Sequence, residues 1–167
     1  MNELASSCTE TFAFDSALDF ARQAYAEASL INYIKGLGDA CLRYGVIYYW
    51  HLWNSPESEK YYRQAISWYQ KIADNNGLGH GFRCLGLCQD FPDEAMKAIE
   101  QSIGYFRKTG NQVMLADLTD LMGIAYKQKG DFEKYKEHIM KCVELTGNYL
   151  EFEYYIAKVE YEKINSR

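Results

Sequence analysis

Three glycines constrain this chain more than anything else in it. RYGVIYY (Arg43–Tyr49), CLGLCQD (Cys84–Asp90) and LMGIAYK (Leu121–Lys127) align on Gly45, Gly86 and Gly123, which lie 41 and 37 residues apart. Lys35-Gly36-Leu37-Gly38 and Asn76-Gly77-Leu78-Gly79 precede the first two by similar distances. Ala24, Ala65 and Ser102 each stand 21 residues before the next aligned glycine. A unit of about 40 residues repeated this way is one supersecondary element, which buries its apolar face only by stacking on its neighbours.

Each unit reads as two helices. In LTDLMGIAYKQKGDFEKYKEHIMKCVEL (Leu118–Leu145), Leu118, Met122 and Ala125 fall at helical spacing, and Gly123 leaves room for a neighbouring helix. Lys129-Gly130-Asp131 is a helix stop followed by a start, because glycine suits the position after a helix and aspartate the cap before one. Phe132, Tyr135, Ile139 and Cys142 then return at intervals of 3 or 4.

Earlier in the chain, residues 1–13 are polar and read as a loose lead-in. A helix is expected from Asp15-Ser16, burying Ala17, Phe20, Ala21, Ala24, Tyr25 and Ala28. It has the pattern of a hairpin's second half with no first half before it, which leaves two readings: a cap, or a piece of a longer chain. The following helix, about Lys35 to Trp53, ends at Asn54-Ser55-Pro56, which also caps the helix carrying Tyr62, Ala65, Ile66, Tyr69 and Ile72. Hairpins are thus expected over 34–76, 77–111 (broken at Asp90-Phe91-Pro92-Asp93) and 112–148. A charged, aromatic helix over 149–165 would close the array, since solenoids need polar ends. The whole of 14–167 reads as one repeat domain.

Met122-Gly123-x-x-Tyr126, Gly130-x-Phe132, Tyr135, Ile139 and Cys142 resemble the tetratricopeptide repeat, with its L-G-x-x-Y, its G-x-Y and its alternating small and aromatic positions. Tyr135 stands where that family usually has alanine. Tyr44-Gly45-x-x-Tyr48 fits as well, whereas Leu85-Gly86-x-x-Gln89 lacks the tyrosine. The period exceeds the family's usual value of about 34, so the chain looks like its long-period variants. The resemblance implies an all-α, right-handed α-solenoid of about three helical hairpins with a capping helix at each end, and non-catalytic binding of a protein or peptide in the concave groove. Aligned on the glycines, the groove positions are Asp39, Leu42, Val46, Tyr49 and Trp50; then His80, Arg83, Leu87, Asp90 and Phe91; then Asp117, Asp120, Ile124, Lys127 and Gln128. Tyrosine, tryptophan and arginine are the usual interface anchors. The competing reading is a plain solvated face. The family's lysine and asparagine clamp for a terminal carboxylate is not seen, because Asp39, Asp117 and Asp120 occupy groove positions.

Other constellations read more simply as structure. His80, Cys84 and Cys88 follow one another at four-residue steps and could begin a zinc site. A helix carries the first and last about 12 Å apart, too far for one ion, so small-hydrophobe packing is the better account. His51, His80 and His138 have no phosphotransfer context, and no catalytic or cofactor-binding motif stands out.

Composition narrows the rest. A net charge of −5 with no dense Lys/Arg run argues against nucleic acid or an anionic membrane as partner. Five irregularly spaced cysteines argue for reduced thiols and a cytoplasmic setting. No apolar run approaches a membrane span. The reading is an adaptor, or the sensor and docking part of a bacterial regulatory protein. A secretion-type chaperone, a structural homo-oligomer built through the end helices, and a metal or redox site at His80/Cys84/Cys88 are the alternatives.

Overall fold

The computed structural model describes residues 2–146, with side chains from 15 to 145. The described residues form seven α-helices and no strand: α1 (Asn2–Leu30), α2 (Ile34–Leu52), α3 (Ser55–Lys71), α4 (Asn75–Leu87), α5 (Pro92–Thr109), α6 (Gln112–Gln128) and α7 (Phe132–Thr146). The first helices of successive hairpins, α2, α4 and α6, begin 41 and 37 residues apart, the same intervals that separate the aligned glycines. Packing runs between neighbours along the chain, as in an α-solenoid of hairpins.

One expectation changes. Residues 2–13 are helical, not a loose lead-in. No glycine or proline interrupts Asn2–Leu30, so nothing forces α1 to begin at Asp15. The chain gathers into two compact units, Met1–Cys88 and Gln89–Arg167. The division falls inside the expected 77–111 hairpin, at the turn where Phe91 gives α5 no side-chain cap. The closing helix expected over 149–165 lies outside the described residues.

In the first unit, α3 is clamped between α2 and α4 by rings set on glycines. Tyr62 and Tyr69, seven residues apart on α3, are 2 % and 1 % exposed. On α2, Gly38 and Gly45 are also seven apart. A Cβ on Gly38 would lie 2.7 Å from the Tyr69 ring, and one on Gly45 would run into the Tyr62 ring. The antiparallel helices therefore meet in a fixed register. The same Cδ1–Cε1 edge of the Tyr69 ring lies over Gly77 of α4, and Ile66 packs on Gly81. In the second unit, Ile99, Phe106, Leu118 and Met122 make the core of α5 and α6. Tyr135 and Ile139 of α7 pack with Tyr126 and Val143, with the side chains of His138, Tyr135 and Ile139 close over Gly123.

Turns are punctuated by one repeated device. Asn54, Asp74, Asn111 and Asp131 each accept, through the side chain, the backbone N–H three residues on, at 3.2, 3.0, 3.1 and 3.1 Å. Each satisfies an orphan donor at a helix start. Gly110 and Gly130 take the left-handed conformation at the α5 and α6 ends. Asp74→Ala is expected to cost about 1 kcal/mol, read as a lower urea midpoint at unchanged m-value. An unchanged midpoint would show that Asp74 contributes nothing as a cap.

Candidate interaction face

The expected groove residues of the first unit lie on α2 and α4, two helices in contact, and Asp39 and Val46 also line a groove between α1 and α2. Leu42 and Val46 are half-buried on α2, and His80, Arg83 and Leu87 are half-buried along α4. Tyr49 joins the two helices, its hydroxyl donating to the Leu87 carbonyl at 2.9 Å. That bond uses an acceptor that the end of α4 would otherwise leave open. The Tyr49 ring also meets Trp50 edge to face, with centroids 5.0 Å apart and planes at 82°. Trp50 itself is 56 % exposed. This end of the face is thus an open indole beside a phenol fixed from behind.

Asp39 is held from two sides. Its carboxylate accepts from Lys35 Nζ at 2.7 Å and from the Tyr69 hydroxyl at 2.8 Å. The hydrogen bond to Asp39 holds the Lys35 ammonium above its ordinary pKa range. Asp39 therefore braces the buried ring from the surface, and its charge is already engaged on two sides.

The remaining expected residues, Asp120, Ile124 and Lys127, sit on α6 of the second unit. Asp120 is half-buried and Ile124 is 41 % exposed. Lys127 places its ammonium 5.0 Å from the Tyr135 ring centroid, a cation–π approach. Elsewhere in this unit a pocket of about 330 Å³ is lined by Ile103 and Met122 and edged by Glu100, Arg107, His138 and Lys141. Lys129 and Asp93 form an ion pair linking the end of α6 to the start of α5.

His80, Cys84 and Cys88 do not converge. Among the described residues no group of three His, Cys, Asp or Glu side chains could hold a metal ion. Cys88 is buried, its thiol directed to the Leu85 carbonyl at 3.2 Å. Cys41, Cys84, Cys88 and Cys142 form no disulfide among the described residues. No described helix is long and apolar enough to cross a membrane.

The sequence reading missed one feature. A groove of about 740 Å³ runs between α1 and α2, walled by Phe20, Ala24 and Ile31 on one side and Ala40, Arg43 and Val46 on the other. Phe20 and Ala24 were expected inside, yet both are exposed, because no helix among the described residues covers that flank of α1. The signal was available in the pattern of a second hairpin helix without its first.

A family model described as tetratricopeptide repeat matches residues 120–149. That span begins within α6 and takes in α7, the hairpin whose glycine, turn and cap were read above. Comparison with curated proteins returns no match.

Proposed function

We propose that this tetratricopeptide-repeat protein binds a protein or peptide without catalysis, and that the α2–α4 face is where the partner docks. The observation that carries this is Trp50, an open indole packed on a Tyr49 whose hydroxyl is tied to α4. A large aromatic held rigid before binding loses little entropy when it docks, which is what makes such residues interface anchors. Arg83 and His80 on α4 add polar contacts to the aliphatic Leu42, Val46 and Leu87. Asp120, Ile124 and Lys127 form a separate, smaller candidate surface in the second unit. Such a module suits an adaptor or the docking part of a bacterial regulatory protein. Five irregularly spaced cysteines fit a reducing cytoplasmic setting.

Peptides selected on the full chain from a displayed library supply the test. Trp50→Ala is expected to weaken a selected peptide about tenfold or more, and Arg83→Glu to abolish preference for acidic sequences, with helicity unchanged in both. Tyr49→Phe separates roles, because it keeps the ring and loses only the bond to Leu87. Peptides that bind both Trp50→Ala and Arg83→Glu as tightly as wild type would move the site off this face.

A further inference from the structure

We propose that the pocket among α5, α6 and α7 binds a small organic monoanion with an apolar body, a medium-chain carboxylate being the simplest such ligand. The site lies wholly within the second unit and is separate from the α2–α4 face. From α5 it takes Glu100, Ile103 and Arg107, and from α7 His138, Lys141 and Leu145, each set at steps of three and four along one helix face. Leu115 and Met122 of α6 lie between them. The volume of about 330 Å³ falls at the small end of small-molecule sites, which run from about 300 to 1,000 Å³. The floor is apolar and fixed, since Met122 belongs to the core of α5 and α6, and Ile103 and Leu115 pack against it. Thr119 offers no donor there, because its hydroxyl donates to the Leu115 carbonyl at 2.7 Å. Polar recognition therefore falls to the rim.

The rim is charged unevenly. Arg107 and Lys141 are exposed, and neither forms an ion pair among the described residues. His138 Nδ1 donates to the Lys134 carbonyl at 2.9 Å, and its ring leans on Tyr126 with centroids 5.1 Å apart. The imidazole is thus held in place, and Nε2 has no hydrogen-bond partner among the described residues. α5 and α6 are antiparallel, with Asp93 paired to Lys129 at one end and the Asn111 N–H donating to the Phe106 carbonyl at the other. α7 runs antiparallel to α6 in turn, its Cys142 thiol meeting the Ala116 carbonyl and His138 lying over Gly123. Arg107 and Leu145 therefore share the Leu115 end of the pocket, and Glu100 and His138 share the Met122 end, with Lys141 between. Arg107 and Glu100 are about 10 Å apart along the α5 axis. A carboxylate at the Arg107 end meets two cations while its chain runs along the apolar floor. A second carboxylate at the far end would meet Glu100, and an ammonium at the near end would meet Arg107. The pocket therefore selects one negative charge with an apolar tail over a dianion or a cation.

Calorimetric titration of the full chain with octanoate, alongside methyl-detected NMR, tests this. Octanoate is expected to bind with a Kd on the order of 0.1 mM and to shift the methyls of Ile103, Leu115, Met122 and Leu145. Butyrate should bind about tenfold more weakly or worse, for want of buried methylenes. Octylamine and suberate should be weaker than octanoate by a similar factor, for their charge. The double variant Arg107→Gln/Lys141→Gln should lose octanoate about tenfold or more at an unchanged thermal midpoint, since both side chains are exposed. Glu100→Gln should strengthen suberate and leave octanoate unchanged. The proposal is overturned by no saturable heat at millimolar octanoate, by octylamine binding as tightly, by undiminished binding in the double variant, or by methyl shifts confined to residues outside the pocket. A peptide that binds here while octanoate does not would overturn it in favour of a protein partner.

Discussion

Tyr69→Ala is expected to lower the stability of the first unit by about 4 kcal/mol, at the upper end of large-to-small core substitutions. The ring is 1 % exposed and lies between two glycines, Gly38 on α2 and Gly77 on α4. Removing it leaves a cavity with no side chain on either wall to move in, and cavities that cannot collapse cost most. The substitution also frees Asp39 from the phenol that donates to it. Tyr69→Phe should cost only about 1 kcal/mol, because it keeps the packing and loses one hydrogen bond to a half-exposed carboxylate. Gly45→Ala approaches the same contact from the other side. Alanine would gain about 1 kcal/mol in helix propensity, but its Cβ collides with the buried Tyr62 ring. A net loss of about 1–3 kcal/mol is expected from overpacking. Urea denaturation followed by circular dichroism reads all three. A Tyr69→Ala loss no larger than that of Tyr69→Phe would refute the account of the ring as the clamp.

The second large effect is alkaline. Burial pushes the phenols of Tyr62 and Tyr69 well above the usual tyrosine range, and for Tyr69 the hydrogen bond to Asp39 adds to it. Burial also pushes the Cys41 thiol up to about 11. In the unfolded chain such tyrosines ionise near pH 10 and such a thiol near 8.5. The folded state therefore keeps protons that the unfolded chain releases. The associated stability is fully present below the unfolded pKa values and is lost as pH rises toward the folded ones. Each group contributes a slope of up to about 1.4 kcal/mol per pH unit. Cys41 acts from about pH 8.5 to about 11, and the two tyrosines from about pH 10 upward. The urea midpoint of the first unit should fall gently above pH 8.5 and steeply above pH 10. Tyr62→Phe should flatten the steep limb by its own share. An unchanged slope in that variant would refute the assignment.

The helical array was legible because its signals are local. Gly45 and Gly123 mark close approaches, Gly130-Asp131 a stop and a start, and the apolar positions keep a helical period. Asn54 and Asp131 were read as caps and cap their helices through the side chain. What stayed hidden depends on which neighbour exists. Phe20 fits a buried face by spacing, but exposure is decided by whether a helix covers it. Asp39 fits a ligand position by alignment, yet Tyr69, 30 residues away, uses its carboxylate.

The paired seven-residue spacing on α2 and α3 has one more consequence. With Tyr62 over Gly45 and Tyr69 over Gly38, two teeth enter two notches at once. Sliding α3 one turn along α2 in either direction would set the Tyr62 ring against Cys41 or Tyr49, and the Tyr69 ring against Ile34 or Leu42. Both teeth would then strike occupied positions, and no intermediate offset seats even one of them. The hairpin behaves as a latch, either closed at its single setting or open, so its assembly is digital where an aliphatic seam would allow creep.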